Sequence, residues 1–234
     1  MDASLVIPCF NEEKSIEKLA LRCQEMALAC SQTVEIVLVD NGSTDDTPGV
    51  LTRVLRATPN VRSVRVDVNQ GYGHGILFGL QAAKGAILGW THADLQTDPM
   101  DFKKALDAIP DKGGETVFVK GARSGRPFGD TVFTFGMTVF ETLLMRRVLR
   151  DVNAQPTVFH RDFYQTWVGD APNDFALDLF VYYSAKHAGL NVKRVPVRFE
   201  TREHGQSHWN VDFASKLKFI RRTVDFSTKL RCTL

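Results

Sequence analysis

Four short apolar runs, each closed by a polar loop, fill the first hundred residues and leave this chain few folds to choose from. Ala3 to Pro8, Val34 to Val39, Val61 to Val68 and Ala86 to Trp90 each read as a buried strand. Ile16, Leu19, Ala20 and Cys23 keep helical spacing after the first run; Pro48 to Ala57 forms a helix after the second and Ile76 to Lys84 after the third. Strands that alternate with helices build a parallel sheet, and their polar loops gather on one edge. Ligands of such open sheets bind outside the carboxyl ends of the strands. The fourth run therefore matters most. It ends in His92-Ala93-Asp94-Leu95-Gln96, a polar cluster that no core would accept, before Pro99 and a helical run from Asp101 turn the chain away. A carboxylate there is placed to hold a metal or a phosphate-bearing ligand; the alternative is that Asp94 or Asp98 caps the following helix.

The other loops carry their own signals. Asp40-Asn-Gly-Ser-Thr-Asp-Asp-Thr47 combines the turn glycine Gly42 with residues suited to capping the next helix. Asn69-Gln-Gly-Tyr-Gly-His-Gly75 is richer in glycine but does not fit a dinucleotide fingerprint. Counted from Gly71 or Gly73, the last glycine of G-x-G-x-x-G falls on Ile76 or Phe78, and the loop follows the third strand rather than the first. Its glycines admit either a tight turn or the close approach of a ligand. The second half begins near residue 100. Thr116 to Arg123 reads as a strand followed by the basic loop Ser124 to Pro127. Phe133, Met137, Phe140, Leu144 and Val148 fall at helical spacing, a face for the core or for lipid, with Arg146, Arg147 and Arg150 near headgroups in the second case. Asp151 to Pro156 is a polar loop before a strand at Thr157 to His160. Asp174 to Asp178 opens a helix running to Ala188, and a strand at Val192 to Phe199 delivers the donor-rich loop Thr201 to His208.

Composition narrows the class. With 44% hydrophobic and 24% charged residues in 234, the chain reads as an ordinary globular domain without disorder. Net charge is +2, yet residues 211–234 carry +4 and read as a basic closing helix. Nucleic acid is not an expected partner. No apolar run reaches the length of about 18 residues that a membrane span needs, so a cytoplasmic location, or a place on a membrane surface, is expected. Cys9, Cys23, Cys30 and Cys232 show no C-x-x-C spacing and are expected as free thiols without zinc.

Six motifs in order resemble family 2 of the inverting glycosyltransferases, of the GT-A fold, and within it the dolichyl- or polyprenyl-phosphate sugar synthases. Ile7-Pro-Cys-Phe-Asn-Glu12 is similar to I-P-x-[YF]-N-E, Val39 to Thr47 to V-D-D-G-S-x-D-x-T, and Asn69 to Gly73 to N-x-G-x-G. His92 to Gln96 resembles D-A-D-L-Q, Gly121-Ala-Arg123 resembles G-x-R, and Val195-Pro to Ser207 resembles V-P…R-x-x-G-x-S. The resemblance implies a Rossmann-like, mixed but mainly parallel sheet flanked by helices, one domain over 1–234 with two abutting halves. Residues 1–100 would bind a nucleoside-diphosphate sugar and 101–210 the acceptor. It implies donor contacts at Pro8, Phe10, Asn11, Glu12, Asp40, Gly42, Asn69, Gly71, Gly73, Ala93 and Asp94. Asp94, helped by Gln96, would bind Mg²⁺ or Mn²⁺, while Arg123 and Arg202 would neutralise diphosphate or acceptor phosphate. Gln155, Ser207 and His208 would meet the acceptor.

The chain also departs from the family pattern. His92 stands where the first carboxylate of D-x-D belongs, and an imidazole suits Mn²⁺ better than Mg²⁺ or can hydrogen-bond the donor. Gly129 to Gly136 lacks the synthases' Arg ahead of a Ser, Ala154 to Phe159 replaces their S-G-F loop, and Ser207-His208 replaces a closing Ser-Lys. The implied reaction is inverting transfer of a hexosyl unit from a UDP- or GDP-sugar to a polyprenyl phosphate or a glycan by one in-line displacement. Charge growing on the leaving nucleoside diphosphate calls for a divalent cation and guanidinium groups. A phosphate acceptor needs no base; a hydroxyl acceptor needs a carboxylate, for which Asp174 and Asp178 are the candidates unless they serve only the helix dipole. The rival reading is a nucleotide-sugar-binding protein without transferase activity. Self-association is left open.

Overall fold

The computed structural model of the protein describes residues 1–124, 142, 145, 147–199 and 228. Their strands form one seven-stranded sheet of order β3-β2-β1-β4-β6-β5-β7. β1 (Ala3–Cys9), β2 (Val34–Asn41), β3 (Val61–Val66) and β4 (Ile87–Trp90) run parallel. They are linked in order by α1 (Ile16–Ala29), α2 (Thr47–Val54) and α3 (Tyr72–Ala82). All eight residues of β2 are buried, as expected of a central parallel strand covered on both faces. β1 pairs with β2 on one side and β4 on the other, so the chain crosses back over the sheet after β3. That crossing creates a switch point between β1 and β4, where the strand ends splay and a crevice opens.

The second half extends the same sheet with mixed polarity. After α4 (Met100–Asp107), β5 (Val117–Ser124) lies parallel to β7 (Asn191–Arg198), and β6 (Thr157–His160) is antiparallel to both β4 and β5. α5 (Arg161–Trp167) and α6 (Ala176–His187) cover one face. Alternation along β1 sends Leu5 and Ile7 to a core layer under α1, α2 and α4, and Val6 to the opposite layer. The opposite layer is aromatic: Phe118 stacks on Phe159 at 5.9 Å and on Tyr182 at 5.9 Å, with Phe163 and Trp167 edge-on to Phe159.

The expected mainly parallel α/β sheet is present, with three differences from the sequence reading. α3 begins at Tyr72, inside the glycine stretch rather than after it, because Gly73 and Gly75 are helical and buried. β3 ends at Val66, and α5 appears where no helix was expected, since seven residues show too little period to announce one. Of the apolar run 133–149, only Thr142, Met145 and residues 147–149 are described; Met145 and Leu149 pack into the aromatic layer. The rest of that run and all of the basic tail except Thr228 lie outside the described residues. Among the described residues no helix is long and apolar enough to cross a membrane, and Cys9, Cys23 and Cys30 are free thiols.

One glycine fixes how the segment entering β6 meets β5. A Cβ on Gly121 of β5 would lie 2.1 Å from the Gln155 carbonyl oxygen, and the Gly121 N–H donates to the Pro156 carbonyl at 2.9 Å. Gly121→Ala is expected to lower unfolding stability by about 1–3 kcal/mol, the cost of overpacking a closed site. Urea denaturation checks this, and an unchanged midpoint would mean that the 154–156 segment can shift.

Candidate active site

The loops that leave β1 and β2 are tied into one rim of the crevice. The Asn11 N–H donates to Ser43 Oγ at 3.0 Å, and Asn11 Oδ1 accepts the Thr44 N–H at 2.8 Å. Asn11 holds a left-handed backbone, φ 56°, which its short polar side chain tolerates. The Glu12 N–H donates to Thr47 Oγ1 at 2.9 Å, and Glu12 Oε2 accepts from Ser15 Oγ at 2.5 Å. Asp40, almost wholly buried, accepts the Ser43 N–H at 2.9 Å and Arg65 Nη1 at 2.5 Å. The expected donor contacts Asn11, Glu12 and Asp40 are thus brought together, each with loop-holding bonds of its own. Phe10 remains exposed and Pro8 half-buried. At Gly42, φ 74°, a Cβ would lie 2.5 Å from the Asn69 nitrogen, and Asn69 Oδ1 accepts the Gly71 N–H at 2.8 Å.

The glycines of the stretch pack against the chain itself, Gly73 and Gly75 buried and Gly71 half-buried. A Cβ on Gly71 would sit 2.7 Å from the Asn173 carbonyl oxygen, and one on Gly73 would sit 2.7 Å from the carbonyl oxygens of Pro172 and Asp174. The His74 N–H donates to the Asn173 carbonyl at 2.9 Å. The close approach expected of these glycines is therefore backbone against backbone, and the space that would receive a donor at Gly71 and Gly73 is filled by residues 172–174. This contact places Asp174, whose Oδ1 accepts the Ala176 N–H at 2.9 Å, at the mouth of α6. Beside it, Phe175 stacks on Tyr72 with ring centres 4.7 Å apart and planes 10° from parallel.

The segment after β4 resolves the capping question. Asp98 Oδ1 accepts the Met100 N–H at 2.9 Å, and its two oxygens take Arg22 Nε at 3.0 Å and Nη2 at 2.7 Å, so Asp98 caps α4. Asp94 closes a tighter turn: its Oδ1 accepts the Gln96 N–H at 3.2 Å across Leu95, φ 56°. The Ala93 side chain is in the core, which leaves only its backbone for a ligand. The His92 ring lies 5.4 Å from Tyr72. Burial pushes the His92 imidazole below its ordinary range, against the pull of Asp94 and Asp178, so the ring is neutral at pH 7 and keeps a lone pair to offer.

Beneath these residues lies a buried polar cluster that corrects two expectations. Asp178, 2% exposed, accepts Lys120 Nζ at 3.0 Å, Gln155 Nε2 at 2.7 Å, Trp90 Nε1 at 3.3 Å and Tyr72 OH at 3.3 Å. Lys120, 0% exposed, also donates to Thr157 Oγ1 at 2.7 Å, and Thr157 Oγ1 donates to Gln155 Oε1 at 3.0 Å. Asp178 is therefore an anchor paired with an ammonium and not an accessible base, and Gln155 is an interior bridge and not a surface for an acceptor. Arg123 has a partner within the protein. Its N–H and Nε reach Asp151 at 2.9 and 2.8 Å, its Nη2 joins the same carboxylate, and its guanidinium lies 5.4 Å from the Phe199 ring. Its charge is already offset within the protein. Arg202, Ser207 and His208 lie outside the described residues. Among the described residues no group of three His, Cys, Asp or Glu could by itself hold a metal.

Sequence reasoning missed Tyr72, Lys120, Asp151 and Phe175. Lys120 gave a signal, a lone ammonium closing the apolar run Val117-Phe-Val119; for the others nothing local separated them from loop residues.

The sequence profile described as Glycosyl transferase family 2 matches residues 4–167. The undecaprenyl-phosphate 4-deoxy-4-formamido-L-arabinose transferase of Edwardsiella ictaluri is 27% identical over 242 residues, 98% of this chain and 68% of that one. Glycosyltransferase AglD of Haloferax volcanii is 24% identical over 210 residues, 86% of this chain and 33% of its own length. In three dimensions the chain resembles glucosyl-3-phosphoglycerate synthase of Mycobacterium tuberculosis, solved with Mn²⁺, uridine diphosphate and glucosyl-3-phosphoglycerate, with TM-score 0.70 and 20% identity over 100% of this chain and 80% of that one. It also resembles the mannosyltransferase PcManGT of Pyrobaculum calidifontis, solved with GDP-Man and Mn²⁺, with TM-score 0.67 and 20% identity over 97% and 69% of the two chains. The sheet is that of the GT-A fold.

Two outcomes are expected from this geometry. Lys120→Met, which strands a buried carboxylate, should cost about 3–5 kcal/mol in chemical denaturation, while Lys120→Met with Asp178→Leu should recover most of it. A double variant no better than the single would mean that packing, not charge, holds the cluster. For His92, a depressed folded value makes its neutral form the one the fold prefers. Its contribution is then full above the unfolded value of about 6.5 and is lost as pH falls from there through the lower folded value. Between about pH 7.5 and 5.5, His92→Gln should lose less unfolding stability than the parent protein; equal losses would contradict burial of the neutral ring.

Proposed function

The chain belongs to glycosyl transferase family 2, and we propose that it transfers a hexosyl unit, with inversion, from a UDP- or GDP-sugar to a polyprenyl phosphate or a glycan. The observation that carries this reading is the placement of Asp94. It stands just past the carboxyl end of β4 at the switch point of the sheet, and the helix cap that might have explained it is supplied by Asp98. The relatives support it: the Edwardsiella enzyme is an undecaprenyl-phosphate transferase, and both structural neighbours were solved with a nucleotide or nucleotide sugar and Mn²⁺.

The residues at this edge fit a divalent cation in part. Asp94 offers a carboxylate and His92 a neutral imidazole, a donor pair that favours Mn²⁺ over Mg²⁺, and sites of this kind use substrate phosphates to complete the shell. Bound there, the cation would stabilise negative charge on the departing nucleoside diphosphate. Asp40, oriented by Arg65 and the Ser43 N–H, faces the base and ribose side of the crevice in this reading. Arg123 acts indirectly, holding Asp151 and the loop that follows it. A phosphate acceptor attacks as it stands. A hydroxyl acceptor hands its proton to Asp174 at the mouth of α6, because the lone pairs of Asp178 already accept from Lys120, Gln155, Trp90 and Tyr72. With a lipid-phosphate acceptor the chain works at a membrane surface, where the exposed Arg147 and Arg150 each contribute about 1 kcal/mol toward anionic headgroups.

Thermal unfolding with UDP, GDP, dTDP or CDP, each with Mn²⁺, Mg²⁺ or a chelator, tests the donor site. A ligand at one hundred times its dissociation constant should stabilise by about 2.7 kcal/mol. One nucleotide with Mn²⁺ is expected to give the largest shift. Asp94→Asn should remove the metal-dependent part and cut transfer by about 10²- to 10³-fold. Asp174→Asn should abolish transfer to a hydroxyl acceptor and spare transfer to a phosphate. No shift with any nucleotide, together with no donor hydrolysis, would overturn the reading.

A further inference from the structure

We infer that the outer face of Phe175 is a platform for a pyranose ring, which makes this residue a determinant of sugar specificity at the site. Phe175 is 52% exposed, which is ordinary for a single ring; what sets it apart is how it is held and what it stacks on. It is also held still. Residues 172–174 before it are clamped by the close approach of Gly71 and Gly73 and by the His74 N–H on the Asn173 carbonyl, and α6 starts directly after it. Its ring stacks on Tyr72 at 4.7 Å and 10°. Tyr72 in turn is fixed through its hydroxyl to Asp178 at 3.3 Å and lies 5.4 Å from His92. A chain of rings therefore runs from the solvent edge at Phe175 through Tyr72 to His92, two residues from Asp94. Because the ring already packs against Tyr72, stacking on its other face costs little further conformational entropy.

The chemistry of the surroundings selects the ligand. The face of a phenyl ring carries the negative lobe of its quadrupole and attracts polarised C–H groups, which line one side of a pyranose. The hydroxyls at the rim of such a sugar would meet polar neighbours, Asn173 and Asp174. An isoprenoid chain would instead want an apolar groove, and the residues just before Phe175 do not make one. The pyranose can belong to the donor or to a glycan acceptor. The inference rests on the transferase reading for the location of the sugar, and its test is a binding measurement that does not require turnover.

The full-length chain and its variants Phe175→Ala, Phe175→Leu and Phe175→Trp are titrated with UDP, UDP-glucose, GDP and GDP-mannose in the presence of Mn²⁺. Methyl glucoside and methyl mannoside are then titrated over saturating nucleotide. Unfolding temperatures should match the parent protein, since the ring is half exposed. Phe175→Ala and Phe175→Leu should leave UDP and GDP affinity unchanged and weaken a sugar-bearing ligand by about fivefold, while Phe175→Trp retains it. Loss confined to the nucleotide sugar assigns the platform to the donor, and loss confined to the methyl glycoside assigns it to the acceptor. Phe175→Leu as good as the parent would overturn the inference in favour of plain apolar contact, as would affinities that no variant changes. Turnover of the parent protein, measured separately, judges the transferase reading, so the two can fail independently.

Discussion

The buried pair of Lys120 and Asp178 is the constraint on which the rest of this molecule depends. Its partners come from α3, β4, β5, the segment entering β6, and α6, so one carboxylate gathers donors from both halves of the chain. Burying either charge alone would cost several kcal/mol, and even the pair is not a gain over a well-packed apolar substitute. What the cluster supplies is position. Trp90 is the last residue of β4, and its indole N–H on Asp178 fixes the strand end from which His92 and Asp94 emerge. Burial drives the Lys120 ammonium toward neutrality while Asp178 opposes this, a balance that holds only if the whole cluster stays dry and fully bonded.

A second constraint joins the halves above that cluster. Gly71 and Gly73 let the start of α3 press against residues 172–174, closer than any side chain would allow. The contact fixes Asp174 and Phe175 relative to Tyr72, and Tyr72 closes the circuit through its hydroxyl to Asp178. The edge assigned to the donor in the proposed function is built from two short loops, after β4 and before α6, each held from below by the same carboxylate. Asp178 and Gln155 are accordingly buried, and they support the loops above them.

Much of the architecture was legible because its signals are local. Strand-length apolar runs, helical spacing and the polar cluster after Trp90 need only a few neighbouring residues to be read, and they placed the strands, the switch-point edge and Asp94. The start of α3 was misplaced for the opposite reason. Glycine is a poor helix former, and only the close contact with residues 172–174 explains Gly73 inside a helix.

The limits of the sequence show best in two carboxylates four positions apart. By itself it determined that Asp174 and Asp178 stand at the opening of one helix beside a GT-A sheet, since helix periodicity and motif order are properties of the chain. Which of them stays near the surface and which is buried against an ammonium was decided only by tertiary structure. That choice depends on where β5 brings Lys120 and where β6 and the segment entering it bring Thr157 and Gln155, residues 58, 21 and 23 positions away from Asp178 along the chain. The same holds for Arg123, whose partner is Asp151, and for the glycines, whose neighbour lies a hundred residues on. Burial and pairing arise between distant segments, and no local pattern records them.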